Sequence, residues 1–412
     1  MGKGIDMKKI LIVNKFLYPN GGSETYIFKI GEELKKKGYD VEYFGMDDER
    51  NVVGNAVESY TSNMNFHTGK LAKLLYPFKI IYSVEARKAI RKVLDNFKPD
   101  IVHLNNFNFQ LTPSIIFEIK KYEKQTGNKV KIIYTAHDYQ LVCPNHMMRC
   151  PKAEQNCEKC INGAYINCVK GSCIHGSRVK SILGAVEGYF YSIFKAYQYI
   201  DTVICPSKFI QQKLEHHPQL KGKTVMMHNF STVDIKDTKK KKLEKEDYVL
   251  YFGRYSKEKG IETLLEVCKE LSHIPFVFAG KGPLEEQVNQ VKNIENKGFL
   301  NGEELENLIK KARFSIYPSE WYENCPFSVM ESIQYGTPVI GADIGGIPEL
   351  IDEDITGKLY MSGNKKELSD TIVKLWNDSQ MLETCSRKCL NKEFTTLGQY
   401  VERLLMVYAE RF

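Results

Sequence analysis

The 412-residue chain is 42% hydrophobic, enough for ordinary buried cores, and its length calls for two or three domains rather than one. Its 58 Lys and Arg outnumber its 51 Asp and Glu, and the net charge of +7 suits an anionic ligand or surface without marking a nucleic-acid binder. No apolar run approaches the ~18 residues of a membrane span, and the run at 10–13 stops at Asn14-Lys15. Neither a transmembrane helix nor a secretory signal is expected, and the reading places the chain in the cytoplasm.

The first expected strand, Lys9–Val13, is followed by the loop Pro19-Asn20-Gly21-Gly22-Ser23. A helical pattern over 24–37 then puts Ile27, Ile30 and Leu34 on one face, with Gly38 placed to end it. Residues 41–44 complete a strand–helix–strand unit. Next come a strand at 100–104, a helix at 112–122 and a strand at 131–136. A Cys-rich stretch leads to a helical segment at 180–199 and short strands at 202–205 and 224–227. Residues 236–247, rich in lysine and poor in apolar residues, read as an exposed linker. Beyond it, strands at 248–252, 276–279, 294–299, 314–317 and 339–340 alternate with helices at 260–271, 284–291, 303–311 and 326–335. A strand at 358–360 and consecutive helices over 365–412 close the chain. The fold class is therefore α/β, with two Rossmann-like parallel-sheet domains, 1–235 and 248–397, expected to face each other across a cleft. Ligands of such sheets sit beyond the carboxyl ends of the strands.

Four loops after strands carry candidate chemistry. Gly21-Gly22 lacks the Gly-x-Gly-x-x-Gly spacing of a dinucleotide fingerprint, yet it offers bare backbone N–H groups to a phosphate. Its bland alternative is an ordinary turn. In Phe252-Gly253-Arg254-Tyr255-Ser256-Lys257-Glu258-Lys259-Gly260, Arg254 and Lys259 could both meet a diphosphate, against the alternative of a solvated basic loop. In Ser319-Glu320-Trp321-Tyr322-Glu323-Asn324-Cys325-Pro326-Phe327, Glu323 precedes a helix start, and Glu331 lies about two turns along that helix. The helix start is an anion site by geometry and dipole, and two carboxylates there could grip sugar and ribose hydroxyls. The alternative is a surface Glu pair. His137, at the end of a first-domain strand, could stabilise charge on a reacting sugar or simply cap its loop.

Taken in order, Gly21-Gly22-Ser23-Glu24, His137-Asp138, Phe252-Gly253-Arg254 with Lys259-Gly260, Ala279-Gly280-Lys281-Gly282-Pro283, the Glu323/Glu331 pair and Gly336-Thr337-Pro338 resemble glycosyltransferase family 4 over nearly the whole chain. That family has the GT-B fold and retains anomeric configuration. The resemblance implies a nucleotide diphosphate sugar donor and a saccharide or polyprenyl-linked acceptor, with no metal needed for catalysis. It places Gly21 and Gly22 near the donor diphosphate, and Arg254 and Lys259 on that diphosphate. It puts Glu323 on sugar hydroxyls, Glu331 on the ribose and His137 beside the transferred sugar. The backbone around Asn324, Cys325, Pro326 and Phe327 would touch sugar and phosphate, and Gly280 would border the base. It also implies that a last helix, 398–412, returns to the first domain.

Six of the eleven cysteines fall in the insertion 143–177. Cys157, Cys160, Cys168 and Cys173 could hold a structural zinc, with His146 and His175 as substitute ligands, and the alternative is free thiols in a loop. The stretch 69–97 mixes Lys70, Lys73, Lys79, Arg87, Lys88, Arg91 and Lys92 with Leu74, Leu75, Phe78, Ile80 and Ile81, as in peripheral docking on anionic lipid or in ordinary packed helices. Rival functions are a sugar-nucleotide 2-epimerase and a non-catalytic, zinc-stapled binding subunit.

Overall fold

The computed structural model describes residues 8–63, 79–233 and 244–410. Lys70, Lys73, Leu74, Leu75, Phe78 and the lysine run of the expected linker lie outside them. The chain divides into two compact units, Met1–His228 with Leu397–Phe412, and Asn229–Thr396.

The first unit is built on strands β1 (Lys9–Val13), β2 (Asp40–Phe44), β3 (Ile101–Leu104) and β4 (Lys131–Thr135), a small antiparallel hairpin of β5 (Arg149–Cys150) and β6 (Gln155–Asn156), then β7 (Thr202–Cys205) and β8 (Thr224–Met226). Its six-stranded sheet runs β2-β1-β3-β4-β7-β8, and every pairing is parallel. β3 and β7 are buried along their whole length, as parallel strands covered on both faces must be. Helices Gly22–Lys36, Val84–Phe97, Ser114–Thr126, Arg178–Ile193 and Lys208–Glu215 flank it. The helix Leu397–Ala409 belongs to this unit. Its Tyr400 hydroxyl meets the Tyr26 hydroxyl at 2.9 Å, and its Tyr408 hydroxyl meets His103 Nδ1 at 2.7 Å.

In the 69–97 stretch, Val84–Phe97 is a core helix. It buries Ala86, Ala89, Ile90, Val93, Leu94 and Phe97, while Arg87 and Arg91 pair with Glu118. The described part of that stretch thus follows the packed-helix alternative.

The second unit contains β9 (Val249–Phe252), β10 (Phe276–Ala279), β11 (Ile294–Asn296), β12 (Phe314–Tyr317), β13 (Val339–Asp343) and β14 (Gly357–Met361), in the parallel order β11-β10-β9-β12-β13-β14. This is the 3-2-1-4-5-6 order of a dinucleotide-binding sheet, and its direction reverses between β9 and β12. The unit begins at Asn229, upstream of the residues expected to form the linker, because 229–233 is sewn into it: Asn229 Nδ2 donates to the Cys325 carbonyl at 2.8 Å and Ser231 Oγ to Gln334 Oε1 at 2.8 Å. Lys245, expected in the exposed linker, instead donates to the Lys310 carbonyl and to Thr337 Oγ1, and burial lowers its pKa to about 7.

Candidate active site

In the second unit the switch point falls between the loops after β9 and β12, which hold Arg254, Lys259 and Glu323. Gly260, at φ 72°, lies against the Pro318 carbonyl, and Gly280 lies against the Gly253 carbonyl, so a side chain at either position would force these loops apart. Two small residues thus let three strand-end loops converge.

Lys259 Nζ and Glu323 Oε1 are 2.5 Å apart, on side chains 22% and 7% exposed. The same carboxylate oxygen accepts from Ser319 Oγ at 2.9 Å and from Trp321 Nε1 at 2.5 Å. Burial by itself would lower the Lys259 pKa, but the Glu323 carboxylate and the Tyr317 hydroxyl outweigh it, and the net shift is upward. Lys259 also lies over the rings of Trp321 and Tyr317. It is held as an ammonium. Arg254, by contrast, is exposed and has no ion pair among the described residues. Its backbone carbonyl is fixed by the Tyr251 hydroxyl at 2.8 Å.

Glu331 is half-buried and accepts from Thr232 Oγ1 at 2.7 Å, and burial raises its pKa. Helix Phe327–Gln334 starts at Pro326, and its first-turn N–H groups have no intrahelical acceptor. Cys325 is anchored by Asn229, and Phe327 rests against Phe230 at a centroid distance of 5.7 Å. Asn324 sits in the loop between Glu323 and Cys325.

Several participants were not singled out from sequence. Ser319, Tyr317 and Trp321 clamp the Lys259–Glu323 pair, and Thr232 reaches Glu331. Gly346 donates its N–H to the Glu323 carbonyl at 2.8 Å, and Gly345, at φ 60°, packs on the Glu323 backbone. The Gly-Gly step after β13 was the available signal.

In the first unit, Gly21 caps helix Gly22–Lys36 in extended backbone. The buried Glu24 on that helix accepts from Asn14 Nδ2 and Ser23 Oγ, each at 2.9 Å. His137 Nε2 meets Asn105 Oδ1 at 2.9 Å, and burial lowers its pKa to about 3, so the ring is neutral. Asp138 is raised by burial to about 6.

The structure lends the expected zinc staple no support. No three His, Cys, Asp or Glu side chains among the described residues are grouped to hold a metal. Cys160, Cys168 and Cys173 instead join a small apolar core with Tyr165, Ile174 and Ala185, while Cys157 remains half-buried. Burial pushes the Cys143 and Cys160 thiols up to about 12. His175 is exposed, and His146 Nδ1 is taken by Asn108 Nδ2 at 2.8 Å.

Residues 20–233 match the model of Glycosyltransferase Family 4, and residues 233–390 match that of Glycosyl transferases group 1. This chain belongs to glycosyltransferase family 4. Its two six-stranded parallel sheets have the GT-B fold of its structural neighbours. One of these is Anabaena HepE, solved in complex with UDP and glucose, with a TM-score of 0.67 and 16% identity over 98% of this chain and 100% of that one. The O-antigen chain mannosyltransferase C of Escherichia coli is 22% identical over 90% of this chain and 90% of its own length. An uncharacterized glycosyltransferase of Methanocaldococcus jannaschii is 24% identical over 54% of this chain, a match covering 62% of that protein. As a family 4 member the chain is a glycosyltransferase that uses nucleotide sugars. Among the described residues no helix is long and apolar enough to cross a membrane.

Proposed function

We propose that this protein is a retaining glycosyltransferase that moves a sugar from a nucleoside diphosphate sugar to a hydroxyl of a saccharide or lipid-linked saccharide, without a catalytic metal. The observation that carries this reading is the convergence of Arg254, Lys259, Glu323 and an amide-rich helix start at the switch point of the second sheet. Arg254, Lys259 and the N–H groups near Phe327 stabilise negative charge building on the leaving diphosphate. Glu323 and Glu331 orient sugar and ribose hydroxyls, Gly280 borders the base, and Gly21 and Gly22 offer amides to phosphate. The bond from the anomeric carbon to the diphosphate breaks as the acceptor oxygen bonds to the same face. The acceptor's proton passes to a departing phosphate oxygen. His137, neutral and oriented by Asn105, positions the sugar as a hydrogen-bonding group rather than as a cation.

The complexes of HepE make UDP-sugars the first donors to test. The Escherichia coli relative supports a role in bacterial surface-polysaccharide assembly, and our reading has the enzyme act in the cytoplasm at the inner face of the membrane. A thermal-shift screen of nucleoside diphosphates and their sugars, run in chelator, tests the donor site. One nucleotide should raise Tm, and Arg254→Ala should abolish the rise. The reading fails if no nucleotide protects the fold, or if the variant is protected equally. Steady conversion of the donor to its epimer without an acceptor would assign the site to the epimerase instead.

A further inference from the structure

Helix Arg178–Ile193 carries an exposed apolar stripe. Over its first three turns the inward positions are small, Ser181, Gly184, Ala185 and Gly188, and only near its C-terminal end does it bury a large ring, Tyr191. A side chain at Gly184 would strike Ile174 and Pro144, and one at Gly188 would strike Tyr165, so the helix lies tightly on the Cys-rich insertion. A stripe of five larger apolar side chains points the other way. Val179, Ile182, Val186, Tyr189 and Ile193 recur at spacings of three and four residues, the period of a single helix face. They are 37% to 72% exposed. Ile166 of the adjoining helix Ile166–Gly171, 47% exposed, extends the stripe, and its N–H bonds the Tyr189 hydroxyl at 3.1 Å. Scattered exposed apolar residues need no explanation, but a continuous stripe signals a contact surface.

The charges around the stripe choose the partner. Arg178, Lys180 and Lys195 are exposed at its two ends, and Lys170 is exposed on the adjoining helix. The one acid of the long helix, Glu187, instead lines an inner chamber with Gln140, His146 and Tyr197. A second copy laid on this face would set lysine against lysine with no acid of the helix to answer it. An anionic lipid surface answers both the apolar stripe and the basic rim.

We propose that helix Arg178–Ile193 docks this protein in the interface of a membrane containing anionic lipid, with Ile182, Val186 and Ile193 inserted and Arg178, Lys180 and Lys195 at the phosphates. This deepens the lipid-linked part of the proposed function. It also assigns membrane contact to a segment other than 69–97.

The test is flotation of the full chain with vesicles of phosphatidylcholine alone and of phosphatidylcholine with phosphatidylglycerol, at low and high salt. The native chain should float with the anionic vesicles, and more weakly at high salt. Ile182→Asp/Ile193→Asp should lower its partition coefficient by about tenfold or more, and Lys180→Glu/Lys195→Glu should remove the preference for phosphatidylglycerol. Both changes lie on the outer face, so a thermal melt should show an unchanged fold. The proposal is overturned if the native chain does not float, or if both variants float as it does. It is also overturned if light scattering finds a dimer that the aspartate variant dissolves, which would give the face to a second copy. Nucleotide protection measured on the same samples keeps the two proposals apart. Lost flotation with intact protection sinks docking alone, and the reverse sinks the donor site alone.

Discussion

Replacing Lys259 by Met removes the cation from a carboxylate that stays in place. The Glu323 side chain is only 7% exposed, and its Oε1 accepts from Lys259, Ser319 and Trp321. Stranding one partner of a buried pair costs about 3–5 kcal/mol. Two donors remain on the carboxylate, and hydrogen bonds to a charged group offset part of that loss, so the lower end, about 3 kcal/mol, is expected. For a unit of this size that corresponds to roughly 6–12 °C in Tm. The double variant Lys259→Met/Glu323→Gln keeps an acceptor for Ser319 and Trp321 and strands no charge, so it should lose only about 1 kcal/mol. The double variant should thus be about 2 kcal/mol more stable than Lys259→Met alone, and with the Glu323→Gln single variant completing the cycle the coupling is at least about 2 kcal/mol, the signature of a direct pair. Both tryptophans of the chain, Trp321 and Trp376, lie in the second unit, so urea denaturation followed by tryptophan fluorescence reads that unit directly. Additive costs, or a single-variant loss under about 1 kcal/mol, would refute the claim that this pair holds the loop. Donor protection should be lost in both the single and the double variant.

Three other outcomes follow from the same geometry. His103, held between Tyr408 and Thr135, has a folded pKa of about 3 against an ordinary 6.5, so it contributes stability above pH 6.5 that is lost as pH falls toward 3. His103→Gln should remove about 1.4 kcal/mol of destabilisation per pH unit below 6.5 in urea melts followed by circular dichroism, and an unchanged pH slope would contradict this. Glu187 has the opposite sign: burial raises it from 4.5 to about 8, so its folded form holds the extra proton and stability falls as pH rises across that window. Glu187→Gln should flatten that fall by about 1–3 kcal/mol, after discounting for its partial exposure, and an equally steep fall in the variant would count against it. Finally, Gly260→Ala must strain a backbone at φ 72° and displace the Pro318 carbonyl, so nucleotide protection should disappear while the second unit remains folded at reduced Tm.

The residues Arg254, Lys259, Glu323 and Glu331 could be nominated from sequence because each lies in a loop after a strand or on the helix that such a loop opens, and the hydrophobic period locates strand ends without any tertiary information. That period could not say what each side chain would touch. Lys259 and Glu323 are 64 positions apart and meet only because β9 and β12 are neighbours in the sheet. Thr232 and Glu331, 99 apart, meet because 229–233 folds into the second unit. His103 and Tyr408, 305 apart, meet because the last helix joins the first unit. Cysteine spacing could not say how the thiols would be arranged, because that depends on where backbone turns point each one, and here three of the four pack into a small apolar core.

Local order along the chain by itself determined two things about this protein: the alternation of strands and helices that makes two parallel sheets, and the loops where chemistry belongs. Both follow from short-range sterics and from the burial of apolar faces, which sequence neighbours already encode. Strand order decided the rest: which cation is locked to which carboxylate, which histidine is buried neutral, and which helix leaves an apolar stripe exposed. Those properties depend on contacts between distant segments, and charge, desolvation and exposure take their values only once such contacts exist.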